Sequence, residues 1–127
     1  MLLTQPPLGA RDVAVIALAP AVSEELLFRG ALVGTLGPSP ASICAVAAIF
    51  GALHVSGGRN YASGAFATAV GVLYGYVYVV TGSVWAAALS HSTGNLTSAA
   101  AWLAQQPAGW VSANSSVDDG DVPPRSV

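Results

Sequence analysis

Glu24, Glu25 and Arg29 stand near the middle of an otherwise apolar stretch of this 127-residue sequence. Insertion scales charge about 2.5–3.5 kcal/mol for one Asp, Lys or Arg at the centre of a membrane helix. Three such groups in one stretch therefore suggest use. Glu25 and Arg29 are spaced i and i+4 with the acid first, the favourable order for a pair on one helix face. Glu24 is rotated about 100° from Glu25 and has no obvious partner on its own helix. Two further polar sites follow. Phe50-x-x-x-His54 places an aromatic ring and an imidazole on one face, and His91-x-x-x-Asn95 places an imidazole and an amide on another. These are the only two histidines in the chain. A carboxylate, two imidazoles and an amide converging on one polar cavity would suit hydrolysis by an activated water. The competing readings are a polar patch that glues helices together, separate structural histidines, and a proton relay.

Hydrolytic chemistries can be tested against the residues present. A zinc protease of the His-Glu-x-x-His type is excluded, because no such string occurs. An aspartyl protease needs two aspartates in apolar helices, and Asp12 and the acids after residue 117 are the only aspartates. A serine protease with Gly-x-Ser-Gly finds only Ser63-Gly64, with Tyr61 where the first glycine belongs. Cys44 has no histidine at a useful distance on its helix, and a lone cysteine in an apolar run reads as core. Glutamate remains as the water-activating group. Glu24, His54 and His91 could also be read as a two-histidine, one-carboxylate zinc set. Each would come from a different helix, however, and the i+4 partner of His91 is Asn95, an amide that ligates zinc poorly but donates hydrogen bonds well. The expectation is a site without metal or other cofactor.

The elements that must carry these residues follow from composition. Hydrophobic residues make up 54 % of the chain and charged residues 8 %, against about 25 % charged in a typical soluble domain. Between positions 13 and 104 the only charged side chains are Glu24, Glu25, Arg29 and Arg59. There is no lysine, so a nucleic-acid-binding face is excluded. One cysteine excludes a disulfide scaffold. The expected fold class is all-α, an integral membrane bundle of about four transmembrane helices in the lipid bilayer. Apolar blocks run over about 13–36, 41–55, 62–80 and 84–104, separated by Gly37-Pro38-Ser39-Pro40, Gly57-Gly58-Arg59-Asn60 and Thr81-Gly82-Ser83. The first block would reach about 36 Å as an α-helix, and the second is short for a span. The first block is too long and too charged to be a signal peptide. Residues 1–106 form the membrane core in this reading, and 107–127 a polar, disordered tail. Gly30-x-x-x-Gly34 and Gly71-x-x-x-Gly75 offer small-residue faces for close helix approach. Asn95-Leu96-Thr97 matches a glycosylation sequon, a chance match inside a span.

Taken together, Glu24-Glu25-Leu26-Leu27-Phe28-Arg29-Gly30, Phe50-Gly51-Ala52-Leu53-His54 and His91-Ser92-Thr93-Gly94-Asn95 resemble the three signature motifs of the CPBP family. That family comprises CAAX prenyl endopeptidases and bacteriocin-processing or immunity proteins, and is also called Abi. The motifs fall in the family's order, one per expected helix, with a plain helix between the second and third, and the resemblance covers about residues 13–104. It implies an intramembrane glutamic endopeptidase acting on peptides or proteins at the membrane. By the resemblance, Glu24 activates the attacking water with His54 as its partner, His91 and Asn95 hold the oxyanion, and Glu25, Arg29 and Phe50 support them. Members of the family commonly carry further spanning helices around this core. A minimal enzyme, a fragment inactive without further helices or a second copy, and a non-catalytic immunity or binding protein are therefore the alternatives to be distinguished. The expected location is the plasma membrane of a prokaryote.

With four spans, Arg11, Arg59 and Arg125 all lie on one side, which the positive-inside rule makes cytoplasmic together with both termini. Single cysteines placed at residue 11, at residue 59 and in the tail, in a Cys44→Ser background, are expected to label from that face. Cysteines in the 37–40 turn are expected to label from the other. Labelling of residue 59 from the same face as residue 38 would overturn the topology.

Overall fold

The computed structural model describes residues 10–56 and 60–105, and among them every element is a helix. Helix α1 is continuous from the first described residue to Leu36. It is α-helical over Ala10–Glu25, π-helical over Leu26–Val33, and α-helical again over Gly34–Leu36. Helix α2 is Pro40–Ser56, α3 is Tyr61–Thr81 and α4 is Val84–Ala104. The turn expected at 57–59 and the tail expected over 107–127 lie outside the described residues.

Local chemistry sets these boundaries. Gly37 ends α1 at φ +84°, a backbone conformation that only glycine adopts without strain. Pro40 opens α2, where a missing N–H costs nothing. Ahead of it Ser39 and Ser42 cap each other reciprocally: the Ser42 amide donates to Ser39 Oγ (3.2 Å) and the Ser39 amide to Ser42 Oγ (3.0 Å). Asn60 caps α3 by accepting from the Ser63 amide at 2.9 Å. Gly82, at φ +64°, closes α3 in the left-handed conformation, and Ser83 then caps α4.

The π-helical segment departs from the uniform α-helix read from the sequence. There the N–H of Gly34 reaches the carbonyl of Arg29, five residues back. The wider turn brings Phe28, Arg29 and Val33 to the buried side together. Phe28 and Val33 then join Val46, Phe50 and Ala67 in the hydrophobic core, with the Phe28 and Phe50 rings edge to face at 5.0 Å.

Helix α1 packs chiefly on α4, and α2 on α3. Glycine makes the second contact close. A Cβ on Gly51 would collide with Thr68 Oγ1 and lie 2.6 Å from the Gly64 carbonyl, and one on Gly75 would lie 2.7 Å from Ile43. At Gly71 the Ala47 methyl would be 3.2 Å away. Gly30 and Gly34 do not play the equivalent part, since Cβ atoms there would meet nothing nearer than 3.6 Å. Cys44, read from the sequence as core, is exposed. The buried stripe of α2 runs through Ile43, Val46, Ala47 and Phe50, and Cys44 lies off it.

Helix α3 is 21 residues long with a mean hydropathy of 1.5, enough to cross a membrane, and α2 is apolar but 17 residues long. Among the described residues α3 is the one helix both long and apolar enough to do so, and the polar residues of the first and third motifs lie on α1 and α4. Only 28 % of the apolar window of α3 is buried, and Phe66, Leu73, Tyr76 and Val80 stand out from it.

The glycine contacts yield a direct comparison. Gly51→Ala forces α2 and α3 apart and is expected to cost about 1–3 kcal/mol, as overpacking does. Gly30→Ala makes only ordinary contact, 3.8 Å from Val84, and is expected to be neutral or mildly stabilising. Thermal unfolding of the two variants in detergent measures the difference, and equal midpoints would contradict the close packing at Gly51.

Candidate active site

At the centre of the bundle lies a charged network without access to solvent. Glu25 is 0 % and Arg29 1 % exposed. Arg29 Nη1 donates to Glu25 Oε1 at 2.9 Å, and Nη2 donates to the Gly71 carbonyl of α3 at 2.6 Å. Glu25 Oε1 also faces His91 Nδ1 of α4 at 2.9 Å. A carboxylate only accepts, so Nδ1 carries the hydrogen. Glu25 Oε2 is buried and has no hydrogen-bond partner among the described residues. The guanidinium sits between two rings, 5.4 Å from the centroid of Phe50 and 5.7 Å from that of Tyr74. One network therefore ties α1 to α2, α3 and α4.

Glu24, one residue earlier, points elsewhere. Its side chain is 31 % exposed and lines a cavity of about 460 Å³ between α1 and α4. His54, His91 and Asn95 line the same cavity. His91 spans both environments: Nδ1 is engaged by Glu25, while Nε2 lies 3.8 Å from Glu24 Oε2. His54 closes the end of α2, with Nδ1 donating to the Phe50 carbonyl at 2.8 Å and its ring packed on Phe50 at 4.4 Å. In the neutral ring that leaves Nε2 as an acceptor. Asn95 Nδ2 gives one hydrogen to the Ala17 carbonyl of α1 at 2.9 Å and keeps a second N–H. Among the described residues, no group of three or more His, Cys, Asp and Glu side chains is arranged to hold a metal ion.

The remainder of the cavity wall is mainly apolar. Val13, Ile16, Ala17 and Pro20 come from α1, and Ser98, Ala99 and Trp102 from α4. Pro20 has no N–H, so the Ile16 carbonyl cannot make its usual helical hydrogen bond on this wall.

Sequence reasoning missed what α3 contributes. It read α3 as a plain helix, yet α3 supplies the Gly71 carbonyl to Arg29 and stacks Tyr74 on His91 at 4.7 Å. The Gly71-x-x-x-Gly75 pattern marked the place but suggested packing alone. A tyrosine on the buried side of an apolar helix was the second available signal, since its hydroxyl is costly to bury without purpose.

The described residues thus form an all-helical fold with one glutamate locked in an ion pair and its neighbour facing a cavity of imidazoles and an amide. The family model for type II CAAX prenyl endopeptidase Rce1-like proteins matches residues 6–97, and the chain belongs to that family. It is a membrane-embedded protease family that also contains inactive members. Comparison with curated proteins and with solved structures returns no match.

The two adjacent glutamates are expected to fail differently. Glu25→Ala leaves Arg29 as a buried unpaired charge, a change of about 3–5 kcal/mol. Glu24→Ala removes a partly exposed group and is expected to leave the fold within about 0.5 kcal/mol of the starting protein. Thermal midpoints and detergent-extracted yields of both variants measure this, and equal losses would contradict the separation of roles.

Proposed function

We propose that this chain is an intramembrane endopeptidase in which Glu24 activates a water to cleave a peptide bond. The observation that carries the reading is the convergence of Glu24, His54, His91 and Asn95 from three helices on one cavity. Family membership makes a protease activity the natural use of such a cavity.

The geometry suggests a sequence of events. Glu24 takes a proton from the water, and His54 Nε2 accepts the water's second hydrogen and holds it in line. The resulting hydroxide attacks the peptide carbonyl carbon. The oxygen that becomes negative receives the second Asn95 N–H. His91 donates from Nε2 only as an imidazolium, because Nδ1 already holds a hydrogen for Glu25. Glu25 supplies the counter-charge to that ring, and Arg29 in turn balances Glu25. As the C–N bond breaks, Glu24 returns its proton to the leaving nitrogen.

The same reading places the protein in a bilayer as a four-span bundle. The outward faces of the helices are apolar: Val15, Ile49, Phe66, Val80, Trp85 and Leu89 are each at least half exposed. Contiguous surface of this kind needs lipid or other helices as its solvent. The substrates are then peptides or proteins that reach the membrane, and the cavity opens between the start of α1 and the end of α4 to receive them.

Cleavage of a membrane-peptide library in detergent by the unaltered chain beside Glu24→Gln tests the proposal. The expected result is defined cleavage that falls by about 10³-fold or more in the variant, as for loss of an essential water-activating group. Equal cleavage by the two would overturn the role of Glu24, and no cleavage by either would leave a binding member of the family.

A further inference from the structure

Tyr74 lies outside the cavity, is 7 % exposed, and belongs to none of the three motifs. Its ring is stacked on the His91 imidazole, centroids 4.7 Å apart and planes 19° from parallel. Phe50 meets the same imidazole edge to face at 6.1 Å and 85°. The hydrogen bond to Glu25 holds one atom of the His91 ring, Nδ1. By itself that bond leaves the ring free to rock about the Nδ1–Oε1 line, because the second side-chain torsion of histidine is broad. Rocking would swing Nε2, the atom that faces Glu24 in the cavity. A flat ring laid against the imidazole blocks that motion.

Gly94 explains how Tyr74 fits. A Cβ at Gly94 would lie 2.9 Å from the Tyr74 hydroxyl oxygen, so the absent side chain makes room for the end of the tyrosine. Gly94 sits three residues after His91, on the same side of α4. Gly71, three residues before Tyr74 on α3, gives its carbonyl to Arg29. One turn of α3 thus fixes both partners of Glu25, Arg29 by a hydrogen bond and His91 by a ring face.

We propose that Tyr74 is a positioning residue for His91, holding the imidazole plane so that Nε2 stays aimed into the cavity, and that Gly94 is the gap which admits it. This rests on the proposed peptidase reading only for its kinetic readout. Tyr74 also borders Arg29, at 5.7 Å, but it touches no substrate and reaches the cavity through His91.

The test uses the full chain in detergent with Tyr74→Phe, Tyr74→Leu, Gly94→Ala and the double variant Tyr74→Phe/Gly94→Ala. Tyr74→Phe keeps the ring and is expected to retain kcat within about threefold. Tyr74→Leu frees the imidazole and is expected to lower kcat by about 10- to 100-fold with KM little changed, the usual cost of a misplaced group. Gly94→Ala presses on the tyrosine oxygen and is expected to lose kcat, and removing that oxygen in the double variant is expected to restore it. Nitrogen-15 spectra of the histidine rings give a readout independent of turnover. With only two histidines in the chain, His54→Gln identifies the His91 signals. One fixed Nδ1–H tautomer is expected in the starting protein and in Tyr74→Phe, and tautomer exchange in Tyr74→Leu. An unchanged spectrum and kcat in Tyr74→Leu, equal damage from Phe and Leu, or no rescue in the double variant would overturn the proposal. Absence of cleavage by the starting protein would count against the peptidase reading alone, and the spectra would then decide the role of Tyr74.

Discussion

The rest of the structure is arranged around one desolvated carboxylate oxygen. Glu25 Oε1 receives Arg29 from its own helix and His91 from α4. Burying an isolated carboxylate and a guanidinium carries a large desolvation penalty, which mutual attraction offsets only when geometry is good and other hydrogen bonds help. Here the help comes from the Gly71 carbonyl and from two aromatic faces on Arg29. The helpers come from α2 and α3, and His91 from α4, so assembling the bundle and satisfying the charges are the same event. Such a network contributes less to net stability than to uniqueness. A helix arrangement that moved one partner would strand a charge.

Close approach of α2 and α3 is the second requirement, and it is met by small residues rather than by large ones. In a lipid setting apolar side chains gain little by leaving the hydrocarbon for a protein core. Contact is driven instead by how nearly two backbones can meet, and Gly51, Gly64, Gly71 and Gly75 set that distance. The close fit carries Phe50 and His54 of α2 toward the network on one side, and Gly71 and Tyr74 of α3 toward it on the other.

Much of this was legible in the sequence, and the failures share a cause. Helix ends could be read because Gly37, Pro40, Gly82 and Ser83 act on their own local backbone. The Glu25–Arg29 pair could be read because i and i+4 lie together in any helix. The π-helical turn could not, since nothing in Leu26–Val33 distinguishes bonding five residues back from four. Nor could the exposure of Cys44, because α2 is as apolar on its exposed side as on its buried one and periodicity then says little. The contribution of α3 was hidden for another reason. Arg29 and Gly71 are 42 positions apart, and a backbone carbonyl has no residue type to betray it. Sequence patterns show which side chains are unusual, and they do not show what an ordinary backbone atom does for them.

Glu24 and Glu25 are consecutive, so two jobs with opposite demands are separated only by the 100° that one residue adds to a helix. The protein therefore depends on α1 as a ruler. A one-residue deletion or insertion between Pro20 and Glu24 would leave every motif residue in the chain and still turn both acids by about 100°, so that at most one of them faces a place meant for either. The upstream half of α1 carries no reacting group, yet its length is fixed as strictly as the acids themselves. Substitutions at its exposed positions away from the cavity should be tolerated, whereas changes of length should not be.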